Sequence, residues 1–418
     1  MNRYDLKEFF SQTALFIFPT FVLVNHYISG FTFVLVMIFS CIYLVMSKGN
    51  ALRCSRSEAI FFLSLSLLAT SVVISAVVNK VNFERLGRLT IPVLAIPIYF
   101  WYRNKSVNEG ALWFGLVCGA IAAGISAIYQ ILVLDLNNRA GGVIHPITFG
   151  DISLVMGFMS VAGSGWFLKH YKWGLLFPVL GLAFGLLASI LSESRGGWVA
   201  FPAAFGLFAW FSLKHISMVK LLSVLVLILV ALTIIYNTPQ FKVKGRVNQA
   251  VTNLGNYIES NDVDDAARLT SVGIRLEMWK VSWYIFRENP LLGVGWDSYS
   301  SQAKKYVSQG LVPKKVARFP HPHNQFMSAL AKGGLLGLLA IILLIGVPLV
   351  SICDLLMTDE ISPNARRIGM AGLVFLLSYI AFALTEAVFE RYRLMTFFAF
   401  YVTVLMALLQ STKNPEDK

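Results

Sequence analysis

Pro320-His321-Pro322-His323-Asn324-Gln325-Phe326 runs within a few residues into GLLGLLAIILLIGVPLVSICDLL, residues 334–356. The second stretch is long enough to cross a hydrocarbon core of about 30 Å as a helix. The first closes roughly 90 mostly polar residues that begin at Asn237, in a chain otherwise built of one hydrophobic run after another. Lipid offers a backbone no hydrogen-bond partner, so runs of this kind cross as helices, whereas a transmembrane barrel would show short alternating strands. A helical bundle needs no large polar excursion merely to fold, so that excursion and the charges facing it are where function is expected.

The composition agrees. Of 418 residues, 56% are hydrophobic and 14% charged, with a mean hydropathy of +0.67, which excludes an ordinary soluble domain. The net charge of +13 is spread between the apolar runs and forms no single basic patch, so nucleic acid is not an expected partner and the lipid bilayer is. The four cysteines, Cys41, Cys54, Cys118 and Cys353, avoid the polar segment, and no structural disulfide is expected. Asn2 to Lys7 followed by an apolar run resembles a signal peptide without a small-residue cleavage site, and reads as a retained first helix.

The expected architecture is an all-α polytopic membrane protein of about twelve transmembrane helices. They fall near 10–26, 30–47, 59–78, 87–102, 110–132, 147–167, 173–191, 196–213, 219–236, 334–356, 368–388 and 394–411. Residues 1–236 then carry helices 1 to 9, residues 237–333 form one large loop with short amphipathic helices, and residues 334–418 carry helices 10 to 12 and a tail. Short loops on the side of the termini hold fifteen Lys and Arg; those on the other side hold seven, Lys80, Arg85, Arg88, Arg139, Arg195, Arg391 and Arg393. The bias places the termini in the cytoplasm and the large loop outside.

Those seven run against the bias and suggest a need for positive charge on that face. Arg195, in Ser192-Glu193-Ser194-Arg195-Gly196-Gly197, has almost no loop around it and must sit at the hydrocarbon edge. A charge there costs up to ~2.5–3.5 kcal/mol unless it reaches water or an anion. It is either an interfacial residue paired with Glu193 or a phosphate clamp whose glycines let a headgroup approach. Arg139, in Asn138-Arg139-Ala140-Gly141-Gly142, repeats the theme, and Arg85 and Arg88 lie one helical turn apart.

Within the loop, Ile274, Met278, Val281 and Ile285 have the spacing of an amphipathic helix at the membrane interface, carrying Arg275, ending at Asn289-Pro290. Gly293-Val294-Gly295 lacks the third glycine and the preceding strand of a dinucleotide site. Asp262-Val263-Asp264-Asp265 reads as a solvated turn, and His321 and His323, two apart, do not share a helix face. No metal and no cofactor are expected. His323 opens a helix into the tenth span, where a histidine, with an ordinary pKa of about 6.5, can serve as a base or be structural.

Arg275-x3-Trp279, Asn289-Pro290-Leu291-Leu292-Gly293-Val294-Gly295, and His323-Asn324-Gln325-Phe326 followed by Gly333-Gly334-Leu335-Leu336-Gly337 resemble the signature region of the O-antigen ligase and polymerase superfamily. Within it the chain looks most like the O-antigen ligases of Gram-negative inner membranes. The resemblance implies a GT-C type glycosyltransferase with a periplasmic active site. Its donor would be an O-antigen polysaccharide on undecaprenyl pyrophosphate and its acceptor a sugar of the lipid A-core oligosaccharide. It implies His323 as the catalytic base and Arg195 and Arg275 as pyrophosphate ligands, with Arg139 and Arg88 beside them and Glu386 and Asn324 in support. Guanidinium forks can take the place of a divalent cation on a leaving pyrophosphate. A single base without a carboxylate nucleophile implies inversion. An O-antigen polymerase, a protein O-oligosaccharyltransferase and, in another class, a transporter or flippase stand as alternatives. Against transport, the long loop lies off-centre and no central basic loop joins two six-helix halves.

Overall fold

A computed structural model describes residues 3–47, 52–80, 83–103, 108–134, 139–194, 243–260 and 265–413, with a few isolated positions between them. The first part of the bundle comprises α1 (Arg3–Phe21), α2 (His26–Met46), α3 (Arg56–Asn79), α4 (Ile91–Leu94), α5 (Ile96–Arg103), α6 (Glu109–Leu132), α7 (Pro146–Ala162), α8 (Ser164–His170) and α9 (Leu176–Leu191). The polar segment contributes α10 (Val243–Glu259), α11 (Ser271–Glu288) and α12 (Tyr299–Ser308). The chain closes with α13 (Gln325–Met357), α14 (Pro363–Thr385) and α15 (Tyr392–Lys413). No strand occurs among the described residues.

Six of these helices, or seven if the bent pair α7 and α8 is one span, are long and apolar enough to cross a membrane. The protein is thus multi-pass. The expected spans at 196–213 and 219–236 fall outside the described residues. Three others take a less regular form than their hydropathy implies. Pro92 and Pro97 remove backbone donors, and the expected helix at 87–102 is a 3-10 stretch (Phe83–Thr90) followed by the short α4 and α5. The span at 147–167 bends by 53° at Gly163, and that at 173–191 is reduced to the shorter α9.

Burial separates the centre of the bundle from its edge. The apolar windows of α14 and α15 are 78% and 83% buried, that of α2 only 28%, so α14 and α15 form the centre and α2 offers its surface to lipid. Phe375, Tyr379, Phe389 and Phe398 stack between them, and the Tyr379 hydroxyl donates to the Leu394 carbonyl at 2.7 Å. The turn joining α14 to α15, residues 386–391, is therefore gripped by the best-packed part of the molecule.

The helix expected from Ile274, Met278, Val281 and Ile285 is α11, capped by the Thr270 side chain on Gly273 N. Its apolar face does not lie in lipid. It packs with Tyr299, Tyr306 and Val316 into a second, smaller core that reaches Ala331 of α13. Next to it α13 is broken at Gly334 (φ 60°, ψ −152°), a conformation essentially confined to glycine. The signature loop enters the break: Leu335 N and Leu336 N donate to the carbonyls of Pro290 and Leu291 at 2.8 and 3.2 Å. In return Val294 N and Gly295 N donate to those of Ala331 and Lys332 at 3.1 and 2.9 Å. A Cβ at Gly293 or Gly334 would strike the facing backbone. The loop thus supplies the hydrogen bonds that the interrupted helix cannot, and fixes the direction of the segment that carries the histidines.

Candidate active site

His323 stands just before α13 in a left-handed backbone conformation (φ 49°), which costs a residue with a Cβ roughly 1–2 kcal/mol. The surroundings hold it there. The Trp279 indole of α11 donates to the Pro322 carbonyl at 3.0 Å. Asn324 caps α13 by accepting from Phe326 N and Met327 N, both at 3.0 Å, and its amide donates to the Leu384 carbonyl at 3.1 Å. Asn324 therefore places the histidine segment against the end of α14.

Glu386, the first residue beyond α14, is 1% exposed and meets that segment. Its Oε2 accepts from His323 Nδ1 at 3.2 Å and from Arg391 Nη2 at 3.0 Å, and its Oε1 accepts from Ala387 N at 2.9 Å. Burial alone would raise this carboxyl. The His323 hydrogen bond, with the charge of Arg391, outweighs it and holds the group below the usual carboxylate range. An ionised carboxylate can only accept, so Nδ1 carries a proton and Nε2 is the ring nitrogen that holds the lone pair whenever the imidazole is neutral. His321 Nδ1 lies 3.4 Å from Glu386 Oε1 without hydrogen-bond geometry, and burial pushes that imidazole down to about 4. Near neutral pH His321 is uncharged, and the permanent positive partner of Glu386 is Arg391.

On a helix, two histidines two positions apart would face different ways and would not ligate one metal together. The segment is not helical, and the rings lie 4.7 Å apart edge to face. His321, His323 and Glu386 offer three ligand atoms within 4.8 Å of one another, a set that could hold a metal ion. The Arg391 guanidinium already neutralises the shared carboxylate.

The arginines differ in what they do. Arg275 on α11 makes no ion pair among the described residues; burial pushes its guanidinium down, while the charge of Glu386 acts the other way. Arg139 donates to the carbonyls of Ser192 and Glu193 at 2.7 and 3.1 Å, fastening the loop after α9. Arg88, in the 3-10 stretch beside the 388–390 turn, has a buried Nε with no acceptor, and so does Arg391. Arg195 lies outside the described residues, as does the side chain of Arg85.

Sequence reasoning counted Arg391 among the seven cations of the minority face without giving it a role in the site, and passed over His145. His145 opens α7, accepts from Ile147 N at 3.3 Å, and is pushed down by burial and by Arg391. His145-Pro146 at the head of an apolar run was the available signal. Glu390 and Lys332, a buried pair at 2.7 Å next to His321, were also missed, although each is an ionisable residue at the mouth of a span.

A profile of the O-antigen ligase family matches residues 180–342, which takes in α11, the signature loop and the histidines. The 386–391 turn lies beyond it. An uncharacterized protein of Haemophilus influenzae is 25% identical over 348 residues, 83% of this chain and 85% of that protein. The O-antigen ligase of Escherichia coli K12 is 25% identical over 158 residues, 37% of this chain and 36% of that protein. With a helical multi-pass bundle, the signature residues in place and these matches, the chain is similar to the O-antigen ligase superfamily over the region that carries the histidines.

Proposed function

We propose that the protein is an O-antigen ligase that transfers a polysaccharide from undecaprenyl pyrophosphate to a hydroxyl of the lipid A-core, on the periplasmic face of the inner membrane. The observation that carries this reading is His323 Nδ1 held by an ionised, buried Glu386, with Arg391 on the same carboxylate. The pair leaves Nε2 as the base. As the acceptor oxygen bonds to the anomeric carbon, its proton passes to His323 Nε2, and the electrons of the breaking carbon–oxygen bond stay on the departing pyrophosphate. Glu386 orients the ring and stabilises the imidazolium that forms. Both oxygens of Glu386 are already engaged, so the carboxylate is not free to act as a nucleophile, and one direct displacement inverts the anomeric centre.

Charge on the leaving pyrophosphate needs donors that are preorganised and not already used. Arg88 has an orphaned buried Nε, Arg391 keeps one beside its bond to Glu386, and Arg275 is within the field of Glu386. In this reading Arg195 joins them, Arg139 shapes the loop beside them, and no divalent metal takes part.

Purified protein supplied with carrier-linked O-antigen and lipid A-core is expected to form the joined product, and to do so in excess EDTA. Product formed only on a second carrier-linked glycan would make it a polymerase, and product on a protein acceptor an oligosaccharyltransferase. Loss of transfer on chelation, restored by a divalent cation, would hand the leaving group to a metal at His321, His323 and Glu386.

A further inference from the structure

The first part of α13 is stitched to the chain around the 386–391 turn along one face. Asn324 donates to the Leu384 carbonyl at 3.1 Å, and Gln325 Oε1 accepts from Phe389 N at 2.9 Å. Ser328 Oγ and Lys332 Nζ, one turn apart, then bind the two oxygens of Glu390, Lys332 at 2.7 Å. The ion pair is out of water, with side chains only 2% and 6% exposed. Lys332 also lies over the Tyr299 ring at 5.9 Å, and its carbonyl accepts from Gly295 N of the signature loop.

Two opposite charges taken out of water gain little net stability, and an apolar pair of similar size would fill the space as well or better. What an apolar pair lacks is direction. The two segments that this pair joins are those that bring His323 and Glu386 together, and a shift between them changes the 3.2 Å contact first. We propose that the buried Lys332–Glu390 pair is a positioning device that sets the register between α13 and the 386–391 turn, so that His323 and Glu386 meet in the geometry a base requires. Neither residue touches substrate. The inference rests on His323 being the base, and its effect is on turnover and not on substrate binding.

The test uses full-length protein in bilayer discs. Glu390→Gln and the double variant Lys332→Met/Glu390→Leu should lower kcat by ~10²-fold, as an ångström of misplacement can, with KM for donor and acceptor held within about twofold. The double variant should melt at or above the wild-type temperature while remaining slow. If Glu390→Gln does not fold, the double variant alone decides. A purely structural pair predicts the opposite, a stably folded double variant with wild-type kcat, and that result overturns the proposal. Diethylpyrocarbonate modification of His321 and His323, followed by mass spectrometry, reads the register without any transfer assay, and both should react several-fold faster in the variants. Unchanged reactivity overturns the positioning role by itself. Normal transfer by His323→Ala with increased reactivity in the variants would instead leave the register role standing and remove the assignment of the base.

Discussion

Glu58 and Glu386 are both buried carboxylates bound to an arginine, and the contrast between them separates architecture from function. Glu58, at the start of α3, accepts from Ser55 N at 2.8 Å, from the Tyr99 hydroxyl at 2.8 Å and from Arg103 at 2.6 Å. It closes a capping box and ties α3 to α5. At the other end of α3, where Ser75 faces the Lys332 carbonyl, Glu386 holds a histidine in a strained backbone; Arg391 and His321 beside it, and Arg88 in the stretch against the 388–390 turn, keep buried nitrogens without a hydrogen-bond partner. Unpartnered buried nitrogens gathered around one turn distinguish the second region from a carboxylate whose partners are all structural.

The comparison breaks most readily at His323. His323→Ala is expected to lower transfer ~10²–10⁴-fold in folded protein that still binds carrier-linked donor, whereas Glu58→Gln should leave the rate per folded molecule unchanged. Near-normal transfer by His323→Ala would make the two carboxylates alike. Replacing Arg391 or Arg275 by lysine keeps the charge and loses the planar fork, so transfer should fall by about tenfold or more. Turnover measured at saturating donor would reveal it, and a lysine as good as arginine would reduce these residues to point charges.

A third difference is in acid. His321 is pushed down to about 4 from an unfolded value near 6.5, so its neutral form is favoured on folding. The stability it contributes is complete above about pH 6.5 and is lost as pH falls toward 4, on the order of 1 kcal/mol per pH unit. Glu386, held low, adds a loss only below its unfolded pKa of about 4.3. Urea unfolding followed from pH 7 to 4 should show the slope, and His321→Asn should flatten it; an equal slope in the variant would place its origin elsewhere. The smallest effect is expected from Asn324→Ala, which removes a helix cap and should cost about 1 kcal/mol of stability, with less effect on turnover than His323→Ala.

Hydropathy alone identified the helical membrane class, and periodicity placed α11, because both are written locally in the chain. The Asn289–Gly295 motif was legible as a signature but not as the piece that fills the break at Gly334, since those bonds join residues some forty positions apart. Proline punctuation turned one apparent span into three pieces for the opposite reason: the average over a window hides a single missing donor.

For the site, the sequence by itself singled out His323 and a group of arginines, because a histidine before a span and cations on the minority face are costly enough to need a reason. It did not determine what each of them does. That Glu386 and not an arginine holds His323, that Arg139 is occupied by backbone carbonyls, and that Lys332 and Glu390 form a pair were decided by the packing of α13 against the turn between α14 and α15. The physical reason is separation along the chain. His323 and Glu386 are 63 residues apart, and no local pattern records which two ionisable groups a fold will bring within 3.2 Å.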